Sequence, residues 1–159
     1  MKLLKGEIFP DFTLKDDKGL SFNLLKDVKS KFLVIYFYPK DNTPGCTKQA
    51  CYFRDYYSDF ENLDCEIIGI SGDSQEKHFK FKESYSLPFR LLTDKKNELR
   101  NKLGLPKDFV GLSPGRITFL INSEFQILFI FRSSLNMKSH ITKALNFLKK
   151  YKSKMAQKL

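Results

Sequence analysis

In the stretch Phe32-Leu33-Val34-Ile35-Tyr36-Phe37-Tyr38-Pro39-Lys40-Asp41-Asn42-Thr43-Pro44-Gly45-Cys46, an unbroken apolar run meets a proline and a polar loop that ends in a cysteine. The run from Phe32 to Tyr38 is too short for a helix and rich in strand formers. It reads as a central strand buried on both faces. Pro39 has no N–H to continue the ladder and stops it. Thr43 suits a helix N-cap and Pro44 the first helical position, which puts Cys46 in the first turn. The helical pattern continues from Thr47 to Leu63, with Phe53, Tyr56, Tyr57 and Phe60 on one stripe.

The pattern extends in both directions. Upstream, Phe12–Leu14 and Leu20–Leu24 flank Gly19 and read as a β-hairpin. Downstream, Cys65–Ser71 is a second buried strand, and Ser74–Tyr85 a helix with Ser74 as N-cap. Leu91–Asp94 is a short strand or turn, and a short helix from Asn97 to Leu103 ends at Gly104. Ile117–Asn122 and Gln126–Phe131 form an antiparallel pair. The last helix runs from about Met137 to Tyr151, with Ile141, Ala144, Leu145 and Leu148 on its apolar face. This order predicts an α/β three-layer sandwich with a mixed central sheet and an N-terminal β-hairpin. A thioredoxin-like arrangement fits it, as do other α/β folds.

The chain has 159 residues, enough for one domain with its own core. The expected organisation is a single domain, 1–159, with a basic C-terminal tail from about residue 150. No segment has the apolar length of an export leader or a membrane span, and the three cysteines do not form a secreted disulfide framework. A cytoplasmic protein is therefore expected, with thiols that serve chemistry or packing. The net charge is +10, but only five basic residues are Arg and the lysines are spread along the chain. A solvated lysine surface accounts for this without a specific nucleic-acid face.

Chemistry in open α/β sheets sits beyond the carboxyl ends of strands, at the start of the following helix. The strand ending at Tyr38 delivers Cys46 there. Unpaired N–H groups and the positive end of the helix dipole stabilise a thiolate, the nucleophilic form of cysteine. The competing reading is a small buried packing residue.

The segment from Tyr36 to Thr47 resembles the active-site segment of the peroxiredoxins, and within them the bacterioferritin-comigratory or Q type. The pattern P-x-x-x-T-x-x-C falls on Pro39, Thr43 and Cys46. The resemblance continues through Gln49–Asp55, Ile70–Ser74, Leu87–Asp94 and Arg116–Ile121, and so covers almost the whole chain. One departure is Ile117, where many members carry a small hydroxyl residue. The resemblance implies a thioredoxin-like fold and a thiol-dependent peroxidase, acting on hydrogen peroxide and organic hydroperoxides. Cys46 would attack the peroxide and become a sulfenic acid. The Thr43 hydroxyl would bond the thiolate and peroxide, Arg116 would stabilise the charges, and Pro39 would shield the pocket. Thioredoxin or a similar dithiol would be the reductant. No cofactor, metal, membrane or specific nucleic acid is implied, and a monomer is expected.

Cys51 follows Cys46 by five residues. In an intact helix that spacing gives about 7.5 Å of rise and roughly 140° of rotation, so the Cα atoms lie more than about 8 Å apart. A disulfide needs them within about 7 Å, so the two cannot bond unless the helix start unwinds. The resemblance implies that Cys51 is the resolving cysteine; a core residue with an external thiol as resolver is the alternative. Cys65 opens a strand and reads as packing. A zinc site from the cysteines with His78 or His140 lacks a second close ligand pair. Both histidines are expected at the surface or boundary. Other functions compatible with the residues are a redox sensor or chaperone, a polyanion binder and, without C-x-x-C, a thiol-disulfide oxidoreductase.

Overall fold

The computed structural model describes residues 3–108, 111 and 113–158; Leu159, the end of the expected basic tail, lies outside them. The elements in chain order are β1 (Thr13–Asp16), β2 (Ser21–Asn23), α1 (Leu24–Asp27), β3 (Phe32–Phe37), α2 (Pro44–Asp55), α3 (Tyr57–Asn62), β4 (Cys65–Ser71) and α4 (Gln75–Tyr85). They continue with β5 (Arg90–Thr93), a 3-10 turn (Lys95–Asn97), α5 (Glu98–Lys102), β6 (Lys107–Asp108), β7 (Ser113–Pro114), β8 (Ile117–Asn122), β9 (Ile127–Arg132) and α6 (Met137–Gln157).

Seven strands form one mixed sheet in the order β2-β1-β5-β4-β3-β8-β9. β3 pairs in parallel with β4 and antiparallel with β8, so it lies at the centre. β4 and β5 are parallel, and the β8–β9 and β1–β2 pairs are antiparallel. Every residue of β3 is buried, as the apolar run requires. Its side chains alternate between two cores. Val34 and Tyr36 join Phe53, Phe60, Phe81 and the α6 face of Ile141, Ala144, Leu145 and Leu148. Leu33, Ile35 and Phe37 join Phe9, Phe12, Phe22, Leu99 and Phe119 on the other side. Helices thus cover both faces, giving the predicted three layers with a thioredoxin-like arrangement. Each fully buried Phe contributes roughly 1.5–3 kcal/mol of transfer free energy, which is where the Phe-rich composition is spent.

Three elements differ from the sequence expectation. The helix predicted from Thr47 to Leu63 is two helices, with a break at Tyr56 (φ −99°, ψ 6°). Phe53 and Phe60 are fully buried, while Tyr56 and Tyr57 are only partly buried. Phe53 and Phe60 pack into the same core on either side of the break. The last helix continues to Gln157, so the basic segment after Lys149 is helical up to that residue. Leu24, expected in the hairpin, instead begins α1, which Asn23 caps by accepting from the Lys26 N–H.

Candidate active site

Cys46 is the third residue of α2 and is 1% exposed. The first helical bond runs from Thr47 N–H to Thr43 C=O at 2.9 Å. The N–H groups of Gly45 and Cys46 precede it and have no helical acceptor. Unbonded N–H groups in a helix first turn are donors for an incoming anion or polar oxygen. The thiol itself sits in the core with Tyr36, Tyr38 and Phe53. Tyr36 stacks on Phe53 with ring centroids 4.5 Å apart. Gly69 of β4 makes room for that ring, since a Cβ there would stand 2.8 Å from Tyr36 Cζ. Burial holds the Tyr36 phenol well above its ordinary range, with Asp41 and Cys46 adding to the effect and Arg116 opposing it.

Arg116 stands immediately before β8 and is 7% exposed. It is therefore a buried cation, not a surface one. Its Nη1 donates to Gln49 Oε1 at 2.9 Å, and its backbone N–H donates to Asp108 Oδ2 at 3.3 Å. Its guanidinium also lies against Gly45. A Cβ at residue 45 would come within 2.8 Å of Arg116 Nη2 and 2.9 Å of Met137 Cε. The missing side chain is what lets a guanidinium and a thioether approach the backbone beside Cys46. Gln49 is fully buried, and its Nε2 makes no hydrogen bond. It was not among the sequence-derived site residues, although a polar side chain one turn after Cys46 on a buried face was the available signal.

Thr43 occupies the N-cap position with extended backbone, but its hydroxyl does not cap the helix. It donates to the Lys40 carbonyl at 3.0 Å. The expected cap is thus corrected: the hydroxyl is turned to the Lys40 carbonyl of the short 40–43 turn and accepts from no N–H of the helix. Pro39 is half-buried in the same loop. Asn42 takes the left-handed region at φ 60°, which Asn tolerates better than most residues.

All three cysteines are free thiols. Cys51 lies in the same helix as Cys46 and is half-buried. Burial raises its thiol above the ordinary value, partly opposed by Arg54. Cys65 is buried in β4, and burial raises its thiol far more strongly. That is the packing role expected for it.

The two histidines, expected near the surface, are both fully buried. His140 Nε2 faces the Ser133 carbonyl at 2.8 Å, so it carries the proton and Nδ1 accepts from the Thr118 hydroxyl at 2.8 Å. Burial, with Arg116 nearby, lowers the ring to about 4, against the bond to Ser133. It is neutral at ordinary pH and adds no second positive charge beside the guanidinium. His78 lies between Asp41 and the Leu92 carbonyl. A cavity of about 640 Å³ lies elsewhere, lined by residues such as Phe12, Leu14, Thr93 and Lys102, and offers no thiol.

A buried thiol at a helix start, beside a buried guanidinium, on a thioredoxin-like sheet defines a class of thiol-based redox enzyme. The comparisons with known proteins agree. The AhpC/TSA family model matches residues 5–130, and the chain belongs to that family. It is 44% identical over 151 residues to the chloroplastic peroxiredoxin Q of Sedum lineare, covering 95% of this chain and 81% of that protein. It is 45% identical over 148 residues to the chloroplastic peroxiredoxin Q of Arabidopsis thaliana, covering 93% and 68%. Among solved structures, the peroxidoxin BcpB of Mycobacterium tuberculosis superposes with a TM-score of 0.83 at 33% identity, covering 91% of this chain and 96% of that one. A bacterioferritin comigratory protein of Xanthomonas campestris, described for its alkyl peroxide reduction, gives 0.78 at 30% identity, covering 88% and 91%. The chain is thus of the peroxiredoxin Q kind, whose activity is thiol-dependent peroxide reduction. The plant relatives are named chloroplastic, so they do not support the cytoplasmic expectation. Among the described residues no helix is long and apolar enough to cross a membrane.

Proposed function

We propose that the protein reduces peroxides through Cys46 and closes its cycle with Cys51. The observation that carries this is the Cys46 thiol in the first turn of α2, with the Arg116 guanidinium against the adjacent Gly45. In the first step the Cys46 thiolate attacks one peroxide oxygen. The O–O bond breaks, Cys46 becomes a sulfenic acid, and the leaving alkoxide or hydroxide takes a proton to form alcohol or water. Arg116 stabilises the thiolate and then the charge on the leaving oxygen. The free N–H groups of Gly45 and Cys46 orient the peroxide. Thr43 joins once its hydroxyl turns from the Lys40 carbonyl toward the sulfur, and Pro39 keeps water from the pocket.

In the second step the Cys51 thiolate attacks the sulfenic sulfur, a disulfide forms and the sulfenic oxygen leaves as water. Both cysteines share one helix, so α2 must open from its N-terminal end first. Opening also removes the burial that raises the Cys51 thiol, so the resolving nucleophile becomes stronger once the helix has unwound. A dithiol such as thioredoxin then reduces the disulfide. Since one chain supplies both thiols, a monomer suffices. Three free thiols suit a reducing compartment such as the cytoplasm.

The test is stopped-flow mixing of the reduced protein with hydrogen peroxide, followed by mass spectrometry of Cys46 and Cys51. Rapid sulfenic acid at Cys46 and then a Cys46–Cys51 disulfide is the expected result. Slow oxidation, or oxidation that begins at Cys51 or Cys65, would overturn it.

A further inference from the structure

The loop between β3 and α2 is anchored by a buried polar chain that the cycle above does not use. Asp41 is 6% exposed. Its carboxyl group accepts from the Tyr38 hydroxyl at 2.6 Å and shares a hydrogen bond with His78 Nδ1 at 2.7 Å. The other ring nitrogen of His78, Nε2, donates to the Leu92 carbonyl at 3.1 Å. Both ring nitrogens thus face oxygens, and a single proton between Asp41 Oδ2 and Nδ1 closes the first bond whichever atom carries it. The Asp41 N–H donates to Asp73 Oδ2 at 2.8 Å, and the same oxygen accepts from the Ser71 hydroxyl at 2.7 Å. The loop is thereby tied to the end of β4, to α4 and to β5, three elements that supply none of the site residues.

The group of Asp41, Asp73 and His78 also has the composition of a cation site. Its geometry argues against one. His78 Nδ1 and Asp41 Oδ2 stand 2.7 Å apart, the separation of a shared proton. Two ligands on one tetrahedral zinc stand roughly 3.3 Å apart. Asp73 Oδ2 is in addition already engaged by two donors.

Removing either member of this buried pair leaves the polar atom of the other without a partner, a severe cost. The chain therefore holds the loop firmly. Asp41 lies two residues after Pro39, two before Thr43 and five before Cys46. We propose that Asp41 and His78 are positioning residues for peroxide reduction, fixing the Pro39–Thr43 loop so that its groups and the helix start meet the peroxide at Cys46. This rests on the reading of Cys46 as the peroxide-reacting thiol.

Two rates on the reduced full-length protein test the proposal: Cys46 oxidation by hydrogen peroxide and Cys46 alkylation by iodoacetamide. Alkylation reports thiolate and access and does not need an oriented peroxide. In Asp41→Asn and His78→Gln the peroxide rate is expected to fall at least about tenfold, with alkylation changed by less than about threefold. Peroxide rates within about twofold of wild type would overturn the proposal. Alkylation that rises as the peroxide rate falls would also overturn it, because the loop would then have melted. Should these variants not fold, Tyr38→Phe keeps the ring and loses one bond; a smaller fall in the peroxide rate with unchanged alkylation is expected, and no fall counts against the proposal. A wild type that does not oxidise at Cys46 would sink the peroxidase reading and this one together. A fast wild type with unaffected variants sinks this one alone.

Discussion

Arg116 Nη1 donates to Gln49 Oε1 across 2.9 Å, and both side chains are buried. Gln49 lies one turn beyond Cys46 on the same helix. The bond therefore holds the guanidinium against the helix that carries the thiol. Arg116→Lys is expected to be severe, because an ammonium cannot keep the bond to Gln49 and still reach Gly45. The peroxide rate at Cys46 should fall by on the order of 10²–10³, the cost of losing one preorganised donor. Gln49→Leu keeps the volume and frees the guanidinium, and should cost about tenfold. Stopped-flow oxidation of both variants measures this; a Gln49→Leu protein as fast as wild type would show that the bond does not position Arg116.

Gly45 separates stability from activity. Within a helix, Ala is favoured over Gly by about 1 kcal/mol, so Gly45→Ala should leave thermal stability unchanged or raised. The added methyl would meet Arg116 Nη2 at 2.8 Å and Met137 Cε at 2.9 Å. Both are ends of flexible side chains, so they move and the fold survives. The peroxide rate should drop about tenfold or more as the guanidinium is displaced. A calorimetric scan and a peroxide titration of one preparation check both halves. Equal loss of stability and rate would mean that the site has no room for the shift.

Much of this was legible in the sequence because the deciding signals are local. The alternation of β3 between two cores follows from a seven-residue apolar run, and the place of Cys46 follows from a proline at the first helical position. The break at Tyr56 was not legible. A stripe of Phe53, Tyr56, Tyr57 and Phe60 is continuous on paper, and the choice between one helix and two depends on which rings the sheet can accept. The histidines were misplaced for a related reason. His78 is buried because Asp41, 37 positions earlier, supplies a carboxylate, and His140 because Thr118 and Ser133 close around it. Such partners meet only after the sheet has formed. Gln49 escaped notice likewise, since its acceptor role depends on an arginine 67 positions away.

Cys51→Ser should separate the two chemical steps. The serine keeps the helix and removes the second thiol, so Cys46 oxidation should proceed at a rate within about twofold of wild type. The sulfenic acid should then persist and be trapped by a carbon nucleophile such as dimedone. Turnover with thioredoxin should fall by on the order of 10²-fold or more, since no intramolecular disulfide forms for it to reduce. Undiminished turnover would reject Cys51 as resolver and point to an external thiol.

His140 gives the fold a pH dependence with a definite sign. Its ring is held at about 4 in the folded protein, against 6.5 for the free side chain. Between those values the unfolded chain binds a proton that the folded chain refuses, so stability falls as pH falls. The contribution is complete above about pH 6.5, declines toward pH 4 and levels off below it. Over that window the loss is about 3 kcal/mol. Asp108 also weakens the fold in acid, but lower down. Burial alone would raise its carboxyl, yet hydrogen bonds from Ser134, Arg132 and the Arg116 N–H hold it below the usual carboxylate range. The pH 4–6.5 window is therefore the one that separates the histidine from this carboxylate. His140→Gln can still accept from Thr118 and donate to Ser133 without titrating. Urea unfolding midpoints at pH 7 and pH 5 should lie closer together in this variant than in wild type, even if both of its midpoints are lower. Equal spacing in the two proteins would show that another group carries the acid sensitivity.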